Sequence, residues 1–207
     1  MPVQNAADVS IVVTNQNQGV LLERCIRSCL AQTFPGRFHE VLVVDAGSTD
    51  FSREVIQDYG NRIRPIFLDP PKGSGQALFT GVRRAMGRFV VHVRAQDYIS
   101  DYTILFQAIW LYQNSQYDGV SVDYFLVQPG SESKVKRISG LESPCWYGIM
   151  FRKEVFTREG LYQSSGEDHT QETLGKKLLQ EYRIGHIPIP FYRYQQDGIV
   201  SGGTAVV

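Results

Sequence analysis

The sequence predicts an α/β sandwich, in which a mostly parallel sheet is covered by helices on both faces. Two observations carry that prediction. Short apolar runs rich in β-branched residues recur between Val9 and Gln113, and between them the apolar spacing switches to that of a helix. Strands joined through helices need crossovers, and crossovers within one sheet make neighbouring strands parallel.

Val9-Ser10-Ile11-Val12-Val13-Thr14 is apolar on both sides and reads as a buried strand. Over Val20 to Ala31 the residues Leu21, Leu22, Cys25, Ile26, Cys29 and Leu30 return at helical spacing, with Glu23, Arg24 and Arg27 opposite. Cys25 and Cys29 share that apolar face and read as core residues. A Phe34-Pro35-Gly36 turn leads to a second strand, Glu40 to Asp45. Gly47-Ser48-Thr49-Asp50 offers capping oxygens to a helix over Arg53 to Tyr59, which Gly60 stops. Arg64 to Leu68 reads as a third strand, Gln76 to Met86 as a helix, and Phe89 to Val93 as a fourth strand. Ser100 or Asp101 caps a further helix lined by Leu105, Ala108, Ile109 and Tyr112. The second half is less regular. Val120 to Val127 and Ser133 to Ile138 read as a hairpin around Pro129-Gly130, Tyr147 to Phe151 as a strand, Gln171 to Gln180 as a helix, and Gly185 to Tyr194 as a final extended stretch. With no repeat or linker, residues 1–207 read as one domain. A strand–helix half spans 9–113 and a second half spans 114–207.

The 207 residues carry 21 basic and 21 acidic side chains, a formal net charge of zero. That balance argues against bulk electrostatic capture of nucleic acid. No stretch approaches the ~20 apolar residues of a membrane span, so the expectation is at most peripheral association with a membrane. Met1 to Val9 lacks the pattern of a signal peptide, and three cysteines neither pair evenly nor sit at zinc spacing. The expected location is the cytoplasm.

Open parallel sheets bind ligands beyond the carboxyl ends of their strands. Four such ends are polar or glycine-rich: Thr14-Asn15-Gln16-Asn17, Asp45-Ala46-Gly47, Asp69 to Gly73, and Arg94-Ala95-Gln96-Asp97. Each alone is accounted for by solvation of a strand end, but four in one half point to a ligand crevice. Lys72-Gly73-Ser74-Gly75 fits neither a Walker loop nor a dinucleotide fingerprint. Lys72 ahead of a helix N-terminus reads either as a phosphate contact or as a surface lysine in a turn.

The order of these motifs resembles that of the family 2 glycosyltransferases, which have the GT-A nucleotide-diphospho-sugar transferase fold. The resemblance runs from Val9 to about Ser201. Gln32-Thr33-Phe34-Pro35 is similar to the family's Q-T-Y-P, and Val43-Val44-Asp45-Ala46-Gly47-Ser48-Thr49-Asp50 to its V-V-D-D-G-S-T-D. The glycine and alanine pattern from Lys72-Gly73 through Gly81-Val82 to Ala85-Met86-Gly87, and the ending Asp197-Gly198-Ile199-Val200-Ser201, look like the family's as well.

The resemblance implies a GT-A, Rossmann-like three-layer α/β/α sandwich and transfer of a sugar, with inversion, from a nucleotide-diphospho-sugar to a glycan or other hydroxyl acceptor. A UDP-sugar is the first candidate donor. Thr14, Gln16, Asn17, Asp45, Lys72, Arg94, Gln96 and Asp97 are its implied contacts. Asp168, with Glu167 as runner-up, sits where the family's acceptor-activating base is expected, and a helix-start acidic pair is the plainer reading. The sequence departs from the family pattern in three places. Gln16 replaces an aromatic, Ala46 replaces a second aspartate, and Arg94-Ala95-Gln96-Asp97 replaces the acidic D-A-D-D. Mg or Mn held by carboxylates would neutralise the departing diphosphate in the family, yet only Asp97 remains here as a metal ligand. Arg94 offers paired donors that match phosphate oxygens and would stand in for the metal. The alternative is a degenerate transferase fold that binds a partner or glycan, with Arg94 salt-bridged to a neighbour such as Asp97 or Asp45. On the acceptor side, Trp146 and Tyr147 read either as a sugar-stacking platform or as packing aromatics. His92, mid-strand in an apolar run, reads as a satisfied core histidine.

Overall fold

The computed structural model describes residues 7–36, 38–128, 131–142, 145–157 and 171–196. Among the described residues nine strands form one sheet: β1 (Val9–Asn15), β2 (His39–Asp45), β3 (Arg64–Phe67), β4 (Phe89–Arg94), β5 (Tyr98–Ile99), β6 (Gly119–Gln128), β7 (Ser131–Ile138), β8 (Met150–Arg152) and β9 (Ile184–Gln195). Five α-helices accompany them: α1 (Gly19–Leu30), α2 (Ser52–Asp58), α3 (Ser74–Arg84), α4 (Thr103–Gln113) and α5 (Gln171–Glu181). The spatial order is β3-β2-β1-β4-β8-β6-β9-β5, with β7 paired to β6.

The predicted three-layer α/β/α class holds. β3, β2, β1 and β4 are mutually parallel, as their helical crossovers demand. β1 and β4 lie fully buried along their whole length, which is why both read as continuous apolar runs. α3 covers β1 and β2, and its Gly81 admits Val12 and Val44 where any side chain would collide. Cys25 and Cys29 of α1 are buried in the core, as their spacing predicts.

The second half extends the sheet through antiparallel β8 and β6, then through β9, which runs parallel to β6. β6 and β7 form the expected antiparallel pair, while Pro129 and Gly130 lie outside the described residues. Two expectations change. α4 starts at Thr103 after Tyr102 in the left-handed region (φ 65°), with no side-chain cap from Ser100 or Asp101. The strand expected over Tyr147 to Phe151 shortens to Met150–Arg152, because Gly148 (φ 77°) turns the chain as its N–H donates to His92 O.

Candidate functional site

Parallel register brings three strand ends to one level: Thr14 pairs with Val44 and Arg94, and Asn15 with Asp45. Backbone bonds fasten the loops beyond them, from Ala46 N–H to Asn15 O (2.8 Å), Ala95 N–H to Thr14 O (3.0 Å) and Lys72 N–H to Ala46 O (3.1 Å). Above these ends lies a cavity of about 190 Å³, lined by Thr14, Asn15, Gln16, Gln18, Ala46, Ser74, Ala77, Arg94, Gln96 and Tyr147. Apart from Arg94 the lining carries no formal charge.

Thr14, Gln16, Arg94, Gln96 and Tyr147 are therefore brought together. Thr14 is held from behind, its Oγ1 2.8 Å from Nε2 of His92. That ring is buried, packs on Trp146 and Tyr147 with centroids 4.9 and 5.4 Å away, and is driven down to about 3 by burial and then by Arg94. It is a core histidine satisfied on one side only, since Nδ1 has no partner among the described residues.

Other predicted contacts are spent on the loops instead of the cavity. Asp45 is fully buried beneath the β2 end, where it accepts from Ser48 N–H (3.0 Å), the Ser48 hydroxyl, Asn15 Nδ2 (2.8 Å) and Arg53 Nε (3.3 Å). Burial pushes that carboxyl up, but the Ser48, Asn15 and Arg53 donors outweigh it and hold it below its ordinary value. Asn17 adopts φ 54°, and its Oδ1 accepts from Thr49 N–H at 2.8 Å. Gly47 (φ 98°) lies against Pro71, so a Cβ there would sit 2.6 Å from the proline Cβ. Lys72 is exposed and is not part of the lining. Trp146 is no platform: it is buried, stacks on Tyr147 (4.6 Å) and is covered by Gly175 of α5. Glu167 and Asp168 lie outside the described residues. Asn15, Gln18, Ser74 and Ala77 join the lining without having been singled out as contacts. Thr14 and Gln16 flank Asn15, and Lys72 precedes the α3 start, so only local spacing pointed to them.

The β4 end carries a buried ion pair. Arg94 Nε donates to Asp97 Oδ2 (2.8 Å) and Nη2 to Oδ1 (3.1 Å). Tyr192 O–H donates to the same Oδ2 (2.6 Å), Gln195 N–H to the same Oδ1 (2.8 Å), and Arg94 Nη2 also to Gln195 O (2.9 Å). The guanidinium lies over the rings of Tyr147 and Tyr194, 4.6 and 4.2 Å from their centroids. Burial opposes its charge, but the Asp97 carboxylate outweighs that and raises it above its ordinary value. Burial pushes Asp97 up, against the pull of Arg94, Tyr192 and Gln195.

The family model for glycosyl transferase family 2 matches residues 10–183. The chain belongs to that family. It is 38% identical over 93 residues to an uncharacterised glycosyltransferase of Nostoc sp., covering 43% of this chain and 28% of the relative. It is 30% identical over 122 residues to the glycosyltransferase GlyG of Streptococcus pneumoniae, covering 56% and 39%. Among solved structures it resembles Staphylococcus aureus TarS in complex with UDP-GlcNAc (TM-score 0.75, 21% identity, 97% of this chain and 62% of that one). It also resembles a Pyrobaculum calidifontis mannosyltransferase in complex with GDP-Man and Mn2+ (TM-score 0.66, 18% identity, 92% and 57%). The chain thus spans between about a quarter and two-fifths of the curated relatives it first matches.

For this family 2 chain the fit of a divalent cation is decided by Asp97. Each of its oxygens already accepts two hydrogen bonds. A carboxylate has about four lone-pair sites, so none is left for a metal. Among the described residues no three His, Cys, Asp or Glu side chains gather to hold one. The described residues at the β4 end do not fit Mg or Mn.

Proposed function

We propose that the protein transfers a hexosyl unit from a nucleotide-diphospho-sugar, a UDP-sugar first, to a hydroxyl of a glycan acceptor, with inversion. The observation that carries this is the cavity at the aligned carboxyl ends of β1, β2 and β4, bordered by the start of α3. TarS structures hold UDP or UDP-GlcNAc and the P. calidifontis enzyme holds GDP-Man, which supports a nucleotide-sugar as ligand. A curated relative, a Staphylococcus aureus poly(ribitol-phosphate) beta-N-acetylglucosaminyltransferase, supports a hydroxyl-bearing polymer of that kind as the acceptor class. No helix among the described residues is long and apolar enough to cross a membrane, and we place the reaction at the cytoplasmic side.

In this reading residues 9–113 bind the donor and residues 114–207 serve the acceptor. The acceptor oxygen attacks the anomeric carbon opposite the diphosphate, whose C–O bond breaks with its electron pair leaving on the β-phosphate. The acceptor proton passes to a carboxylate, for which Asp168 is the choice and Glu167 the second. Tyr147, at the cavity edge, remains the candidate sugar contact. A second reading, a fold that binds a glycan or partner without turnover, is favoured by the neutralisation of Arg94 within its own ion pair.

Calorimetric titration with UDP, GDP and their sugars tests the proposal. Binding of one nucleotide and its sugar is expected, and Asp168→Asn should abolish transfer while sparing that binding. A folded protein that binds none of them leaves the second reading.

A further inference from the structure

We propose that the Arg94–Asp97 pair takes the place of a divalent cation at the end of β4, so that this site binds no metal, with or without nucleotide. The inference rests on the nucleotide-sugar reading for its catalytic meaning, but it is tested separately.

Three observations converge. The four hydrogen bonds on Asp97 fill both oxygens, so a cation would have to evict Arg94, Tyr192 or Gln195. Second, the place a cation would take beside Asp97 is already held by the Arg94 guanidinium. The guanidinium is fixed edge-on by the bidentate carboxylate and lies over the rings of Tyr147 and Tyr194, so an arriving cation meets a cationic group that is not free to swing away. Third, the same Arg94 borders the cavity, together with Ser74 at the start of α3. Guanidinium donors and helix N–H groups both suit phosphate oxygens, so the cavity border offers hydrogen-bond donors to a diphosphate without a metal. The pair also bonds β9 to the β4 end through Tyr192 and both backbone groups of Gln195. One charge pair thus does two jobs, setting local charge and pinning a strand.

The test is manganese. The electron paramagnetic resonance spectrum of Mn2+ should be unchanged by the protein, and the affinity for UDP or GDP should be the same in EDTA as in excess Mn2+. Binding of nucleotide that requires Mn2+, or a bound-Mn2+ signal that Asp97→Asn abolishes, overturns the proposal. Absence of nucleotide binding in either buffer would sink the functional reading, while the manganese spectrum of the protein alone would still decide the occupancy of the strand end. Arg94→Met should weaken nucleotide binding roughly tenfold or more in EDTA. Should that variant fail to fold, Arg94→Lys serves: it keeps a charge but loses the fork, and undiminished nucleotide affinity there would count against the guanidinium. Gln96→Asp combined with Arg94→Asp should create Mn2+ binding that the natural chain lacks, and failure to do so in a folded variant would show that the pair is not what excludes the metal.

Discussion

The Thr14 hydroxyl lies 2.8 Å from Nε2 of His92, which joins the cavity lining to a ring sealed inside the sheet. Burial drives His92 from its ordinary 6.5 down to about 3, so it stays neutral in the folded chain. The unfolded chain takes up a proton as pH falls below about 6.5, and the folded chain does not until near 3, so stability declines across that window on acidification. At ~1.4 kcal/mol per pKa unit the full effect is a few kcal/mol. Urea unfolding between about pH 7 and about pH 4.5 should show the loss, and His92→Gln should flatten it. An unchanged slope in that variant would assign the acid sensitivity elsewhere.

Asp45 offers a second test, because it holds the β1 and β2 loops together without touching the cavity. Asp45→Ala strands the Asn15 amide and the Ser48 N–H, at a cost of about 2–4 kcal/mol. Since its folded carboxyl lies below the ordinary value, its contribution is present above about pH 4 and lost as pH falls further. Nucleotide affinity should fall with stability, through the loosened loop carrying Ala46. An Asp45→Ala protein with wild-type unfolding and weakened binding would instead make Asp45 a direct contact.

Gly148→Ala should disturb the ion pair from a distance. A Cβ there would sit 2.3 Å from Cδ2 of Tyr192, and φ 77° disfavours any side chain. The expected loss is about 1–3 kcal/mol, with a drop in nucleotide affinity as Tyr192 leaves Asp97. Tyr192→Phe removes only the hydrogen bond, and thermal melts of the two variants should rank Gly148→Ala as the less stable.

On the opposite half, Ser121 Oγ lies 3.0 Å from His186 Nδ1, and His186 Nε2 3.0 Å from Asp123 Oδ1. The order resembles a hydrolase triad, but the serine is buried and donates to Gly185 O at 3.0 Å. We expect no hydrolysis of p-nitrophenyl acetate beyond that of Ser121→Ala. Asp123→Ala, by contrast, should cost about 2–4 kcal/mol, because Arg137, His186 and Gly140 N–H all converge on that carboxylate. A serine-dependent burst of nitrophenol would refute the structural assignment.

The parallel core was legible because β1, β2 and β4 are buried on both faces and leave an uninterrupted apolar signature. Strand ends were legible as a group, but not residue by residue. Asp45 and Thr14 are both polar and both terminal, yet one points beneath a loop and the other borders the cavity, a difference set by cross-strand partners. Arg94 beside Asp97 could be read as a salt bridge from their spacing, and that salt bridge is present. The closure of the pair by Tyr192 and Gln195 was not readable, since those residues lie nearly a hundred positions away. Trp146 stayed open between platform and packing for the same reason: its cover is Gly175, whose lack of a side chain acquires meaning only once α5 is docked.

That long reach of β9 sets the timing of assembly. The first four parallel strands use only residues up to Arg94, but the Asp97 charge keeps two of its four donors waiting on a strand that ends at Gln195. Contacts of such separation form slowly, since the intervening chain must first be ordered. As the chain leaves the ribosome, the residues of β1 to β4 emerge well before those that complete its charge centre. The cavity's electrostatics therefore wait on a strand that lies nearly a hundred residues further along the chain.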